Sequence, residues 1–288
     1  MLSYDKAIFA CVDGSKFSTS VVDYGVEVAK TLNLPLKLLN TVEHSHKSSK
    51  VDLSGNMSLG ERDDLLETLS KEDEVESKCL ISQGKDILAQ LKSRAISAGV
   101  ENIITAQRHG TLYENLIELQ DKIRLLIIGL RGQNHDGQNH TIGEQIEEIL
   151  RTIDVPTLLV NGEFTPVKSV LMAYDGSPSS IKALQSIVKS PTLGNDIKRY
   201  VVNVCNDERK SQLLLAQAKM IMEDSNMEVE FVSLKGDPLN ELLKFQEENN
   251  IDMLAMGAFS HGKLRNALFG SFTAKILANS QKPVVLIR

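Results

Sequence analysis

The sequence consists of two copies of one unit, and this repeat limits the folds open to the chain more than any other feature. The motif Asp13-Gly14-Ser15 recurs as Asp175-Gly176-Ser177 after a similar apolar run. The matching stretches keep their order and are 7–30 with 169–190, 110–120 with 236–246, 125–129 with 253–257, and 155–160 with 282–287.

The stretch "NGEFTPVK" lies between the copies and is polar, with a glycine and a proline that favour a turn or linker. We therefore predict a first domain over 1–161 and a second domain over 162–288.

The second copy alternates apolar runs suited to strands with stretches whose apolar residues recur at helical spacing. Continuously apolar strands separated by helices indicate a parallel sheet that is covered on both faces. Right-handed crossovers then produce an open α/β sandwich. The predicted fold class is α/β, with two repeated, open, parallel-sheet domains of the Rossmann-like kind.

The first copy carries an insertion at about 44–86, after its second strand, and this insertion is polar and charged. We expect it to form a loop followed by a helix from about Leu59 to Cys79. The sequence leaves two interpretations of this insertion open: a solvated excursion from the domain, or a docking surface.

A candidate anion site lies where strands of the second copy end. Asp175 directly follows one apolar run, Gly257 ends another, and Gly270-Ser271 opens a helical pattern. Ligands of open α/β sheets bind at the carboxyl ends of the strands, and a helix N-terminus offers free N–H groups to phosphate. The alternative is a plain strand-to-helix connection in which the glycines only allow the chain to turn.

The stretch from Gly257 to Ser271 resembles the nucleotide loop of the universal stress protein family, whose pattern is G-x2-G-x9-G-S/T. Gly257, Gly270 and Ser271 match this pattern, whereas Ser260 stands where the second glycine is expected. The "DGS" after the first strand, the "GDP" before the third helix and the closing "KPVVLIR" are also similar to this family. The resemblance covers both copies and implies a tandem member with an adenine nucleotide alpha hydrolase-like fold.

The resemblance implies a role for each matching position of the second copy. Asp175 would meet the adenine or the ribose, and Val204 would pack on the base. Gly257 and Ser260 would line the path of the ribose and the phosphates.

The phosphate end of the implied site is the start of the last helix. Gly270, Ser271 and Phe272 would offer backbone N–H groups, and Ser271 its hydroxyl as well. The implied cofactor is ATP or a related adenine nucleotide, which Mg²⁺ could accompany, although no carboxylate pair in the sequence selects that ion.

The first copy departs from the family's pattern. Gly129 and Gly132 keep the first spacing, but the loop to Gly143 is one residue longer, and Glu144 replaces the hydroxyl residue. A carboxylate at a helix start opposes phosphate by charge. We therefore expect the first site to be closed to nucleotide.

Composition excludes several classes of function. A net charge of −6 is unlike the basic surfaces that bind nucleic acid or anionic membranes, and no apolar run approaches the roughly 20 residues that span a bilayer. No signal peptide is evident, and the three cysteines are too far apart in sequence to suggest a disulfide or zinc site, which favours the cytoplasm. We predict no metal site.

Together with the family resemblance, which implies a role in stress survival, these features predict a cytoplasmic binding and regulatory module rather than an enzyme, since neither a P-loop nor a poised general base is present. Slow ATP hydrolysis stays open. The alternatives are a nucleotide-free adaptor for another small ligand or a protein partner, and a true nucleotide hydrolase. We expect the two halves to pair through the last strands, 155–160 and 282–287, and further pairing into a homodimer is left open.

Overall fold

The computed structural model of the chain describes residues 6–43, 59–130, 144–189, 193–194, 196–258 and 271–288, the side chains of 59–73, 144 and 271 excepted. The strands are β1 Ala7–Cys11, β2 Leu36–Val42, β3 Ile103–His109, β4 Ile123–Gly129, β5 Thr157–Val160, β6 Ser169–Ala173, β7 Lys198–Val204, β8 Val229–Leu234, β9 Met253–Gly257 and β10 Val284–Ile287. The helices are α1 Ser18–Leu32, α2 Leu59–Ser97, α3 Leu112–Leu119, α4 Glu144–Thr152, α5 Pro178–Lys189, α6 Glu208–Met222, α7 Pro238–Glu248 and α8 Ser271–Asn279.

The strands form one ten-stranded sheet in the order β3-β2-β1-β4-β5-β10-β9-β6-β7-β8. The first five and the last five strands are each parallel, and β5 and β10 meet antiparallel through the pairs Leu159–Val284 and Leu158–Val285. These are the two apolar runs that we expected to join the halves. The predicted α/β fold class, with two repeated parallel sets, is confirmed.

Alternate strand residues point to opposite faces of this sheet, and each face carries its own hydrophobic cluster. On β1, Ile8 and Ala10 belong to the cluster under α1, α2, α5 and α6, while Phe9 and Cys11 belong to the cluster under α3, α4, α7 and α8. Helices therefore pack on both faces of the sheet, as the continuously apolar strands predict.

The helix expected to end near Cys79 instead continues to Ser97 as part of α2. It continues because Leu88, Leu91 and Ala95 recur at helical spacing and are buried against the sheet. Gly84 does not break the helix. Any Cβ at this position would overlap Asn40 and Gln107, so glycine allows α2 to pass close to β2 and β3. The part of the insertion from 44 to 58 lies outside the described residues.

None of the described helices combines the length and the apolar character needed to span a membrane.

The β5–β10 junction predicts that the two halves depend on each other for stability. Leu158 is fully buried at this junction, so Leu158→Ala should remove about 2–5 kcal/mol from the free energy of unfolding. Urea denaturation followed by circular dichroism measures this change.

Leu213→Ala is the matched control, because Leu213 is 72% exposed on α6 and its truncation should change the free energy by less than about 0.5 kcal/mol. An effect of Leu158→Ala no larger than that of the control would contradict the claim that this junction stabilises the protein.

Candidate functional site

The candidate site lies at the point where the strand order of the second half reverses. From β6 the chain moves to one side for β7 and β8, and it then returns to the other side for β9 and β10. Because β6, β7 and β9 are parallel neighbours, their carboxyl ends lie at one edge and leave a crevice there. Asp175, Val204 and Gly257 follow or end these three strands, so the structure brings three of the predicted residues together.

Asp175 stands at the start of a tight turn that leads into α5. Its Oδ1 accepts a hydrogen bond of 2.9 Å from the amide of Ser177, and Gly176 between them has φ of 75°, a left-handed conformation that favours glycine. Desolvation by neighbouring groups acts to raise the pKa of Asp175, but hydrogen bonds from Ser177 and Ser180 outweigh it and the pKa is lowered. The side chain is exposed and remains a carboxylate at neutral pH, able to accept hydrogen bonds from a ligand.

Gly257 is required by the packing of the second half. A Cβ on this residue would overlap the carbonyl group of Ser179 and lie 2.8 Å from the amide nitrogen of Ser180. Both groups belong to the backbone of the first turn of α5, which cannot move aside like the end of a flexible side chain. The absence of a side chain thus lets the end of β9 lie directly against the helix that follows Asp175.

Val204 ends β7 beside the same crevice. Val202 pairs with Ala173 at the end of β6, so Val204 ends β7 close to the turn that Asp175 begins. The side chain is half-buried and packs on the cluster beneath α7 and α8. An apolar surface therefore lies next to the carboxylate.

The start of α8 is the expected phosphate end of the site. The helix begins at Ser271, and Phe272 lies in its first turn, where backbone N–H groups have no partner within the helix. The ring of Phe272 packs on the neighbouring hydrophobic cluster. Ser260 and Gly270 lie outside the described residues, as does the side chain of Ser271, so these three predictions stay predictions.

The first half repeats the aspartate turn almost unchanged. Asp13 accepts a 2.9 Å hydrogen bond from the amide of Ser15, and Gly14 has φ of 81°. Helix α4 begins at Glu144, as expected from the alignment of the two copies. Gly132 and Gly143 lie outside the described residues. Among the described residues, the two halves therefore share the turn and differ in the residue that starts the last helix.

A pair of buried asparagines supports the two turns, and neither residue was predicted from the sequence. Asn203 donates a 2.8 Å hydrogen bond to the carbonyl of Tyr174, and Asn40 donates a 2.9 Å bond to the carbonyl of Val12. Each carbonyl belongs to the residue directly before the aspartate. A polar residue at the same place in two apolar strands, "YVVNVC" and "LKLLNTV", was the signal that could have revealed them.

The partners of the two asparagines differ between the halves. Asn203 Oδ1 accepts a 2.7 Å bond from the hydroxyl of Ser211, which also bonds Ser233, whereas Asn40 Oδ1 accepts from Gln107. The side chains therefore have partners at both ends, as buried amides require.

Among the described residues, no group of three histidine, cysteine, aspartate or glutamate side chains is placed to hold a metal ion.

The contact at Gly257 predicts that even the smallest side chain is costly there. Gly257→Ala should lower the free energy of unfolding by about 1–3 kcal/mol, because the backbone of α5 would have to shift. Gly162→Ala is the control, since its added Cβ would meet its nearest neighbour at an ordinary 3.6 Å. Equal effects of the two substitutions in urea denaturation would show that the close approach of Gly257 to α5 does not affect the free energy of unfolding.

The asparagine support predicts a second stability effect. Asn203→Leu preserves the size of a side chain that is 2% exposed but leaves the Tyr174 carbonyl unpaired, which should cost about 1–3 kcal/mol. Asn226→Leu makes the same change at an exposed position and should cost less than about 0.5 kcal/mol. Thermal and urea unfolding of both variants measure the difference, and its absence would rule out this role for Asn203.

Comparison with known proteins agrees with this architecture. The universal stress protein family model matches residues 6–161 and again residues 166–288. Universal stress protein Slr1230 of Synechocystis is 30% identical over 287 residues, which cover 98% of this chain and all of the relative.

Two solved structures show the same fold. A universal stress protein from Archaeoglobus fulgidus superposes with a TM-score of 0.68 at 18% identity, covering 99% of this chain and 96% of the other. A putative universal stress protein from Pseudomonas aeruginosa superposes with a TM-score of 0.60 at 14% identity, covering 98% and 92%. The chain belongs to the universal stress protein family and is a tandem member of it.

Proposed function

We propose that this protein binds ATP or a related adenine nucleotide in the crevice of its second half and acts as a regulatory module in stress survival. The observation that carries the proposal is the meeting of Asp175, Val204 and Gly257 at the switch point of the parallel sheet. Membership of the family supports it, because the loop from Gly257 to Ser271 follows the family's nucleotide pattern apart from Ser260.

The nucleoside end of the ligand is assigned to Asp175 and Val204. The ionised carboxylate can accept hydrogen bonds from ribose hydroxyls or from the amino group of adenine. The half-buried Val204 offers the apolar surface on which a base packs. A few convergent polar groups beside apolar side chains are typical of cofactor sites.

The phosphate end is assigned to the start of α8. Ser271 and Phe272 belong to its first turn, whose N–H groups and partial positive charge attract anions. Gly270 and Ser260 complete this end in the proposal, and Mg²⁺ would accompany a triphosphate through the phosphates themselves.

The same reasoning assigns the nucleotide to the second half alone. The two aspartate turns have the same geometry, so they do not distinguish the halves. The distinction rests on Glu144, whose negative charge at the start of α4 opposes a phosphate group. We thus assign ligand binding to the domain 162–288 and a structural role to the domain 1–161.

A regulatory role is favoured over catalysis by the state of Asp175. Its carboxylate already accepts hydrogen bonds from the turn, and its pKa is lowered, so it is a weak base for activating water. The three cysteines are free thiols, the form that a reducing compartment maintains, which supports the proposed cytoplasmic location.

The second candidate is a nucleotide-free adaptor, and Ser260 is the residue that favours it. A side chain at the second glycine position of the loop restricts the backbone and narrows the approach of phosphate. In that case the crevice would take another small ligand or a protein segment.

Calorimetric titration with ATP and Mg²⁺ separates these candidates. Asp175→Ala should weaken binding at least about tenfold through the loss of a charged hydrogen-bond acceptor, and Gly270→Glu should abolish it by placing a carboxylate among the phosphates. Circular dichroism and the unfolding midpoint establish that each variant is folded.

Asp13→Ala is the matched control, because it makes the same change in the same turn of the first half. It should leave the affinity unchanged. Equal losses for Asp13→Ala and Asp175→Ala would contradict the assignment to the second half, and an unchanged affinity in Gly270→Glu would contradict the phosphate end.

A further inference from the structure

A groove of about 380 Å³ lies beside α5, on the face of the sheet opposite α7 and α8. Its floor contains Val170 of β6, Ala255 of β9 and Val285 of β10, and its wall contains Ser186 and Ile187 of α5. The groove is mostly apolar, but it is also lined by charged residues, which are Lys6, Arg124, Asp154, Lys189 and Arg199. It is remote from the candidate nucleotide site, because it lies toward the end of α5 that is farther from Asp175.

The repeat identifies the corresponding place in the first half. Since Asp13 aligns with Asp175, Tyr24 of α1 corresponds to Ser186, and Glu27 corresponds to Lys189. By the same alignment, Lys6 before β1 corresponds to Lys168 before β6. The place in the first half is thus the surface of α1 around Tyr24 and Glu27.

That surface is covered by the segment that leads into the second half. The ring of Phe164 packs edge-on against Tyr24 with 4.8 Å between centroids. The amide of Thr165 donates to the Tyr24 hydroxyl at 3.3 Å, and the amide of Val167 donates to Glu27 Oε1 at 3.1 Å. The segment preceding one half is therefore held by the first helix of the other half.

We propose that residues 1–5 occupy the groove beside α5 in the same way. They precede β1 as residues 163–167 precede β6, and Lys6, which follows them directly, already lies at the groove. Five residues can extend about 17 Å, which is sufficient to cross a helix. The contacts are then reciprocal. Helix α1 of the first half holds the segment that leads into the second half, and α5 of the second half holds the segment that leads into the first half.

The groove beside α5 and residues 1–5 differ from the surface of α1 and its covering segment in a complementary way. In the first half, the helix supplies the aromatic Tyr24, whereas in the second half the helix has the smaller Ser186 and the segment carries Tyr4. Leu2 takes the position of Phe164 as the apolar anchor. The charge is reversed as well: Lys189 replaces Glu27, and the residue that reaches it is Asp5 in the place of Val167. In this proposal an Asp5–Lys189 ion pair takes the place of the contact between Val167 and Glu27.

Tryptophan fluorescence tests this proposal, because the chain contains no tryptophan. Leu2→Trp introduces one reporter at the anchor position. In the native protein its emission should be shifted to the blue, and its quenching by acrylamide should be slower than in the denatured chain, since the ring lies in an apolar groove.

The charge pair is tested in the same Leu2→Trp protein. Lys189→Glu places two carboxylates together and should increase the population of the open segment about two- to fivefold, the range expected for an exposed pair. Adding Asp5→Lys should restore the original quenching. Lys182→Glu is the matched control, since it makes the same substitution at an exposed position of α5 that does not line the groove.

Quenching of the native reporter as fast as in the denatured chain would overturn the proposal, as would equal effects of Lys189→Glu and Lys182→Glu. A blue shift that appears only as the protein concentration rises would assign the groove to a second copy of the chain and would also overturn it.

Discussion

The antiparallel pairing of β5 with β10 is the contact on which the rest of the structure depends. Each half alone would be a five-stranded parallel sheet with an apolar edge strand, and an exposed edge of that kind is prone to pair with another chain. Here each half covers the edge of the other, through the pairs Leu159–Val284 and Leu158–Val285. The hydrophobic clusters on both faces consequently run through the two halves without interruption.

This junction joins two halves whose candidate sites are alike in one part and different in another. The turns at Asp13 and Asp175 share the hydrogen bond from the amide two residues on to the aspartate, and each is supported by a buried asparagine. What has changed is the start of the last helix, where Glu144 in one half corresponds to Ser271 in the other. A half that no longer needs to bind nucleotide can remain useful as a structural partner, which is the division of roles that we propose.

The repeat and the apolar runs were sufficient to predict the fold class, because periodicity indicates which stretches form strands and which form helices. They also predicted that Asp175 and Gly257 lie at one edge of the sheet, since parallel neighbours share an edge. The length of α2 could not be predicted, because Gly84 is accommodated by a close approach to β2 that only the packed structure reveals. The role of Asn203 in supporting the turn was also not predicted, because its partner is distant in sequence. The carbonyl that it bonds, on Tyr174, lies 29 positions away.

The central claim is that one adenine nucleotide binds per chain, in the second half, and the most direct test is to identify what the purified protein carries. The protein is denatured, the chain is removed, and the released small molecules are identified and quantified by mass spectrometry. The account predicts an adenine nucleotide at about one per chain in the native protein and in Asp13→Ala, and its loss in Asp175→Ala. Two nucleotides per chain would contradict the closed first site, and no released nucleotide together with no binding of added ATP would contradict nucleotide binding altogether.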